Sequence, residues 1–362
     1  MKFAGDLTLA YRVCLWSRLA NRILLPLATF NAKDADSLYK GVRKIKWLDH
    51  MKSKGSFVVD FSGVSPTIKN SQFGALKVKD AICDQIREKK GARPDIDKEN
   101  PDIRVNVFLK DKEATISIDL SGDSLHRRGY RTMPGAAPLK ENLAAAILYR
   151  SNWLEFAKEN KPLCDPMCGS GTILIEGAMM ALDYAPGLLR KSFGFSKWLG
   201  HDQKVWDKLL SEAKERHQKG TQNFQGMICG SDIDPKVVSI ARGHIKAAGL
   251  KNVIKISIKD IKEISPSVYG VTTPGLLVAN PPYGKRLSEL EDLSGLYKVF
   301  GKVLRESFLD WEMVMLTGNP DLGKVMGIRS HKRYNFFNGT IPCKLLLFNI
   351  IPPMFWREYK GA

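Results

Sequence analysis

From residue 138 onward, short apolar strands alternate with helical segments, and this rhythm leaves few folds open to the chain. A helical pattern spans about 139–156. The strand 162–165 leads through a glycine-rich turn into a helix over 172–181, and the strand 227–232 precedes a helix over 235–248. A further strand, 253–258, ends at Lys259-Asp260, and the apolar run Gly275–Ala279 opens directly into Asn280-Pro281-Pro282-Tyr283-Gly284. A helix near 293–308, a strand over 313–316 and a closing strand over 343–350 complete the series. Strands separated by helices pair in parallel, because the crossover must return to the same end of the sheet. The expectation is an α/β domain on a parallel sheet.

The first part of the chain reads as α+β. Residues 7–27 space Leu9, Val13, Trp16, Leu19 and Ile23 at helical intervals before Pro26 stops the pattern. Residues 57–62 read as a strand ending at Gly63, and 77–89 as an amphipathic helix with Val78, Ile82 and Ile86 on one face. Two period-two strands, 103–109 and 114–120, flank the charged turn Lys110-Asp111-Lys112-Glu113 and so form a hairpin. Residues 121–137, with Gly122, Gly129, Pro134 and Gly135, read as a linker. Residues 183–225 are an insertion without strand character, rich in Lys, Trp and Phe, and suited to cap a site or touch a substrate.

Net charge is +18, and its distribution matters more than its size. Residues 1–137 carry 25 Lys/Arg against 16 Asp/Glu, and residues 138–362 carry 31 against 22, so each part holds +9. An even spread favours a long polyanion lying across the molecule, above all nucleic acid. Two segments strengthen that reading: one carries Lys69, Asn70, Gln72 and Phe73 with Lys77 just beyond, the other Arg127, Arg128 and Arg131 around Tyr130. Cations interleaved with aromatic rings suit RNA, whose phosphates need charge and whose unstacked bases need flat surfaces. The six cysteines form no CxxC pair, and the histidines form neither HExxH nor a Cys/His cluster. Reduced thiols in a cytoplasmic protein without a metal site are expected. No apolar run approaches the roughly 18 residues of a membrane span, and Asp6 stands where a secretion signal would be apolar.

Chemistry concentrates at the strand ends. In Asn280-Pro281-Pro282-Tyr283 the prolines remove two N–H donors and fix φ, leaving carbonyl oxygens exposed on a rigid turn. Asn280 adds an acceptor and Tyr283 a flat face, which suits a planar group bearing an amine. Upstream, Asp165-Pro166-Met167-Cys168-Gly169-Ser170-Gly171-Thr172 joins a strand to a helix. Gly169 and Gly171 admit a ligand close to the backbone, and the helix beyond offers free N–H groups. The residue before Thr172 is not the lysine of a P-loop, and Leu174 stands where a dinucleotide fingerprint needs its third glycine. Asp165 repels a pyrophosphate but suits a cationic or hydroxyl-bearing ligand, such as the amino acid end of S-adenosylmethionine. Asp232 can take ribose hydroxyls and Asp260 an adenine amino group, while Asp234 either supports Asp232 or caps the helix after Pro235.

These residues resemble the amino-methylating class I S-adenosylmethionine-dependent methyltransferases. The match extends through Ser121–Arg131, Ala137–Ala145, the run DPMCGSGTILIEGAMMA and Ala185-Pro186-Gly187-Leu188. Over essentially the whole chain the sequence is similar to the THUMP-domain large-subunit (23S) ribosomal RNA guanine-N2 methyltransferases. The resemblance implies a Rossmann-like methyltransferase domain at 138–362, with a mostly parallel seven-stranded sheet. It also implies an α+β THUMP and ferredoxin-like RNA-binding region at 1–120, its ferredoxin-like part shortened because the chain starts inside it. A second, fused activity is not expected. S-adenosylmethionine is the implied cofactor, on Asp165, Pro166, Cys168, Gly169, Gly171, Thr172, Asp232, Ile233, Asp260, Ile261 and Asn280. The acceptor amine falls to Asn280, Pro281, Pro282 and Tyr283. The expected partner is 23S ribosomal RNA or a large-subunit assembly intermediate, met by a monomer. The rival readings are adenine-N6 methylation, which Asn-Pro-Pro-Tyr serves equally well, and a non-catalytic RNA-binding assembly factor.

Overall fold

The structure is a computed structural model that describes residues 2–133, 139–283 and 287–352, with backbone alone for 287–292. Residues 134–137 of the expected linker, Gly284 of the proline turn and the last ten residues lie outside it. The described chain divides into two compact units, Met1–Leu125 with Arg190–Glu212, and His126–Leu189 with Ala213–Ala362.

In the first unit, helix α1 (Leu7–Trp16) starts at Asp6, whose carboxylate accepts from the Leu9 amide at 2.8 Å. It ends eleven residues earlier than the periodicity predicts, because Leu24–Asn31 is strand β1. Pro26 lies inside that strand, not at a helix end. β1 is an edge strand of the order β1-β5-β4-β2-β3, where a missing N–H need not cost a ladder bond. The others are β2 (Ser56–Val64), β3 (Asp95–Ile96), β4 (Ile103–Lys110) and β5 (Glu113–Asp119). β4 and β5 form the expected antiparallel hairpin, closing at Lys110 opposite Glu113.

Helices α2 (Ala35–Arg43) and α3 (Ser71–Lys90) bury Leu38, Val42, Val78, Ile82 and Ile86 against Phe57, Val105, Val107 and Ile116 of the sheet. The short, polar α2 has no counterpart in the sequence reading. It is nucleated by reciprocal Asp34 and Ser37 capping bonds. α3 begins six residues before expectation, since Asn70 Oδ1 accepts from the amides of Gln72 and Phe73.

Residues 190–212, read from sequence as an insertion in the catalytic part, belong to this unit. Phe195 packs 4.4 Å from the Tyr11 ring, and the Tyr11 hydroxyl bonds His201 Nδ1 at 2.6 Å. Arg12 grips Glu212 in a two-point ion pair, and Arg190 donates to the carbonyls of Ser121, Asp123 and Ser124. The segment therefore serves here as packing for α1.

The second unit holds α4 (Glu141–Arg150), α5 (Trp153–Lys158), β6 (Leu163–Asp165), α6 (Thr172–Ala181), α7 (Gln203–Asn223, in its later part), β7 (Ile228–Asp232), α8 (Pro235–Ala247), β8 (Ile254–Ile258) and β9 (Leu276–Ala279). Beyond these lie α9 (Leu287–Ser307), β10 (Glu312–Thr317), α10 (Pro320–Val325), β11 (Lys332–Asn338) and β12 (Ile341–Asn349). The single helix expected over 139–156 is two, broken at Asn152, whose φ is +59°. Seven strands pair in the order β11-β12-β10-β9-β6-β7-β8, parallel except where β12 meets β10 and β11. Period two divides the strand residues between two cores. Leu276 and Val278 join Leu163 and α4–α6 on one face, while Leu277 and Ala279 join Phe300, Leu304 and the α9 side on the other. That double burial is why these strands read as unbroken apolar runs.

Candidate active site

Strand order reverses at β6, whose neighbours β7 and β9 lie on opposite sides, and such a switch point opens a crevice beyond the strands' carboxyl ends. A cavity of about 670 Å³ lies there, and Asp165, Asp232, Asp260 and Asn280 all line it. Four motifs spread over more than a hundred residues of sequence thus share one wall.

The glycine turn is built by backbone demands. Gly169 has φ +53° and Gly171 φ +80°, left-handed values that favour glycine. The Cys168 amide donates to Ser231 O at 2.9 Å and the Gly169 amide to Asp232 Oδ2 at 3.0 Å, so the end of β7 holds the turn. α6 starts at Gly171 with no side-chain cap, leaving N-terminal amides for an anionic group such as a carboxylate. Asp165 accepts from the Met167 amide and is 1 % exposed. Burial, then the Asp232 charge, pushes its carboxyl well above the usual range. Burial likewise pushes the Cys168 thiol up, so it forms cavity wall and not a thiolate.

Asp232 spends one oxygen on Gly169 and the other on the Asp234 amide at 3.1 Å, which orients it toward the cavity. Asp234 itself caps α8 through the Lys236 amide. Asp260 accepts from the Lys262 amide at 2.9 Å as the cap of a short turn, and Ile261 behind it is buried. Ile233 and Pro166 also line the cavity, Ile233 with 65 % exposure, offering apolar surface at its rim.

Asn280 follows β9. Pro281 is buried, while Pro282 is exposed and lines the cavity. The Pro282 carbonyl, expected to face outward unpaired, accepts from the Tyr297 hydroxyl at 3.3 Å. Tyr283 is half-buried, its ring against Gly318, and its hydroxyl donates to Asn280 Oδ1. Burial, then Cys343, pushes that phenol upward.

Sequence reasoning missed the apolar wall from α9, Leu296 and Val299, and the lysines Lys259 and Lys262. The i, i+3 spacing on a helix marks a buried face without saying that a ligand shares it.

The residues expected to meet RNA separate. Lys69, Asn70, Gln72, Phe73 and Lys77 cluster at the start of α3, with the Phe73 ring exposed and the Lys77 ammonium 5.8 Å from its centroid. Asn70 caps the helix. Arg127 is exposed. Arg128 is a correction: it is 1 % exposed, its guanidinium on Glu176 at 3.3 and 3.4 Å, and no phosphate reaches it. Arg131 is held by Glu141 at 2.7 Å and by Thr172 Oγ1 at 2.9 Å, bracing the start of α6. Among the described residues no cluster of three His, Cys, Asp or Glu side chains could hold a metal, and no helix is long and apolar enough to cross a membrane.

A seven-stranded sheet in this order, with an acidic glycine turn after β6 and Asn-Pro-Pro-Tyr after β9, defines a class I S-adenosylmethionine-dependent methyltransferase. The RMKL-like methyltransferase domain matches residues 128–346, the THUMP domain 32–119 and the RlmL ferredoxin-like domain 1–24. The chain belongs to the RMKL-like methyltransferase family.

Its curated relatives include the ribosomal RNA large subunit methyltransferase K/L of Cellvibrio japonicus, 51 % identical over 98 % of this chain and 47 % of that protein. The protein of the same name from Pseudomonas putida is 50 % identical over 97 % and 48 %. The chain spans about half the length of the curated relatives it matches. Among solved structures, a protein in complex with SAH is 30 % identical with a TM-score of 0.83, covering 95 % of this chain and 88 % of its own. A predicted N6-adenine-specific DNA methylase from Listeria monocytogenes is 30 % identical with a TM-score of 0.81, covering 95 % and 86 %.

Proposed function

We propose that this protein transfers a methyl group from S-adenosylmethionine to the exocyclic N2 amine of a guanine in 23S ribosomal RNA. In this reading it works as a cytoplasmic monomer on free RNA or on a large-subunit assembly intermediate. Residues 1–120 bind RNA, 121–137 link, and 138–362 catalyse. The observation that carries the proposal is that Asn280, the amine acceptor, lines the same cavity as the three strand-end carboxylates.

The donor set fits the cofactor. A buried carboxyl at Asp165 is costly alone, and an ammonium beside it offsets that cost. Asp232 is oriented for a diol, and Asp260 with Ile233 and Ile261 for an adenine edge and face. The bound cofactor supplies a methyl on a positively charged sulfur, an activated leaving group. Asn280 Oδ1 holds the amine by its proton and directs the nitrogen lone pair into the cavity, and Tyr283 supplies the face on which an extruded base stacks. Most of the acceleration is then positional. A strong base is unnecessary, since the amine proton becomes acidic once nitrogen carries positive charge.

Adenine-N6 methylation is the second reading, favoured by the name borne by the Listeria protein. The test is methyl transfer from labelled cofactor to unmodified 23S RNA, followed by nucleoside mass spectrometry. N2-methylguanosine is the expected product, and N6-methyladenosine would overturn the guanine assignment. A protein that neither binds the cofactor nor transfers methyl would be the non-catalytic factor instead.

A further inference from the structure

The hairpin β11–β12 lies outside every residue assigned so far, at the outer edge of the seven-stranded sheet. It turns through Gly339, φ +64°, between the paired residues Asn338 and Ile341. Near its tip it packs into the same apolar cluster as the acceptor turn, where Tyr283 joins Phe336, Ile341 and Cys343 of the hairpin. One residue before Asn338, Phe337 is 66 % exposed.

Charge on this element is one-sided. Residues 332–349 contain three Lys/Arg and no Asp or Glu. Lys332 and, from α4, Arg150 flank the Tyr334 ring with cations 5.4 and 4.7 Å from its centroid. Cations on an edge strand also discourage pairing with another sheet. That purpose does not account for a bare phenylalanine among them, which would favour association.

We infer that the β11–β12 hairpin is a single-stranded RNA platform, on which the nucleotides flanking the methylated base stack against Phe337 while Lys332 and Arg333 take their phosphates. The inference rests on the RNA reading above. An exposed ring gives sequence-tolerant stacking, cations on the strand give counterion release, and the adjacent Tyr283 fixes where the target base must lie. A base extruded toward Tyr283 leaves its neighbours unstacked, and they need a surface within a nucleotide's reach.

The test measures binding of unmodified 23S RNA to the full chain by filter retention over a salt series, without methyl transfer. Phe337→Ala should weaken binding roughly tenfold, with Phe337→Tyr restoring it. The double variant Lys332→Gln/Arg333→Gln should lower the salt slope by about one or more. Cofactor affinity by calorimetry should stay at the wild-type value in all of them, showing that the fold is intact. Wild-type RNA affinity and slope in these variants would overturn the platform, whichever base the wild-type protein methylates. So would a wild-type dimer that Phe337→Ala converts to monomer with RNA affinity unchanged, since the face would then join two copies.

Discussion

The Tyr283 hydroxyl donates a hydrogen bond to Asn280 Oδ1, three residues back along the same turn. An amide oxygen has two lone pairs, so this bond leaves one acceptor site open. It also sets which end of the amide is which, keeping the oxygen, and not the NH2, on the acceptor side. Tyr283→Phe keeps the ring and removes that constraint. We expect kcat to fall about tenfold with the KM for RNA unchanged, whereas Asn280→Ala should lose about 100-fold or more in kcat. Calorimetry should show cofactor binding retained in both. Near-normal turnover in Asn280→Ala would remove the amine-holding role.

In the proposed reading, Asp165 couples cofactor binding to stability. Its folded pKa lies above the unfolded value of about 3.9, so the folded state binds the proton more tightly. Its contribution is therefore most favourable below that unfolded value and declines as pH rises toward the folded pKa. Asp165→Asn removes this loss while its Oδ1 can still accept from the Met167 amide. The cofactor-free variant should melt above wild type at pH 7, the gap closing near pH 4, and it should bind S-adenosylmethionine far more weakly. Melting curves across that range check it, and a gap independent of pH would contradict the assignment.

Much of this site was legible because its chemistry sits at strand ends, where burial on both faces of the sheet makes each strand a continuous apolar run and the first polar residue marks the crevice. The hairpin at 103–120 was legible for the same reason in its period-two form. Pro26 misled because a proline stops a helix and also tolerates an edge strand, and neighbouring residues do not say which. Residues 190–212 misled because their partners, Tyr11 and Arg12, lie nearly two hundred positions away. Arg128 looked solvent-facing for want of a local acid, its carboxylate lying 48 positions on.

His126 gives a second pH signature, of opposite sign. Burial, and then the charges of Lys140 and three arginines, lower its pKa to about 4, against about 6.5 when unfolded. Between these values the unfolded chain binds more protons, so stability rises with pH through that window and is lost as pH falls through it. His126→Gln should flatten the acid side of the stability profile, gaining on wild type progressively from pH 6.5 to 4 and matching its slope above. Chemical denaturation at half-unit pH steps reads this directly, and parallel profiles throughout would exclude it.

The buried pair Arg128–Glu176 assigns that arginine to the fold and not to the RNA surface. Both side chains are at or below 1 % exposure, and the Tyr130 hydroxyl also reaches Glu176, at 3.4 Å. Removing one partner strands the other charge in a dry core, so Arg128→Ala should cost about 3–5 kcal/mol by urea denaturation. Replacing both groups with apolar side chains strands nothing, and Arg128→Met/Glu176→Leu should recover most of that loss. If the arginine is purely internal, the double variant binds 23S RNA with wild-type affinity and an unchanged salt slope. A slope lowered by about one would instead mean that a phosphate contact had been lost.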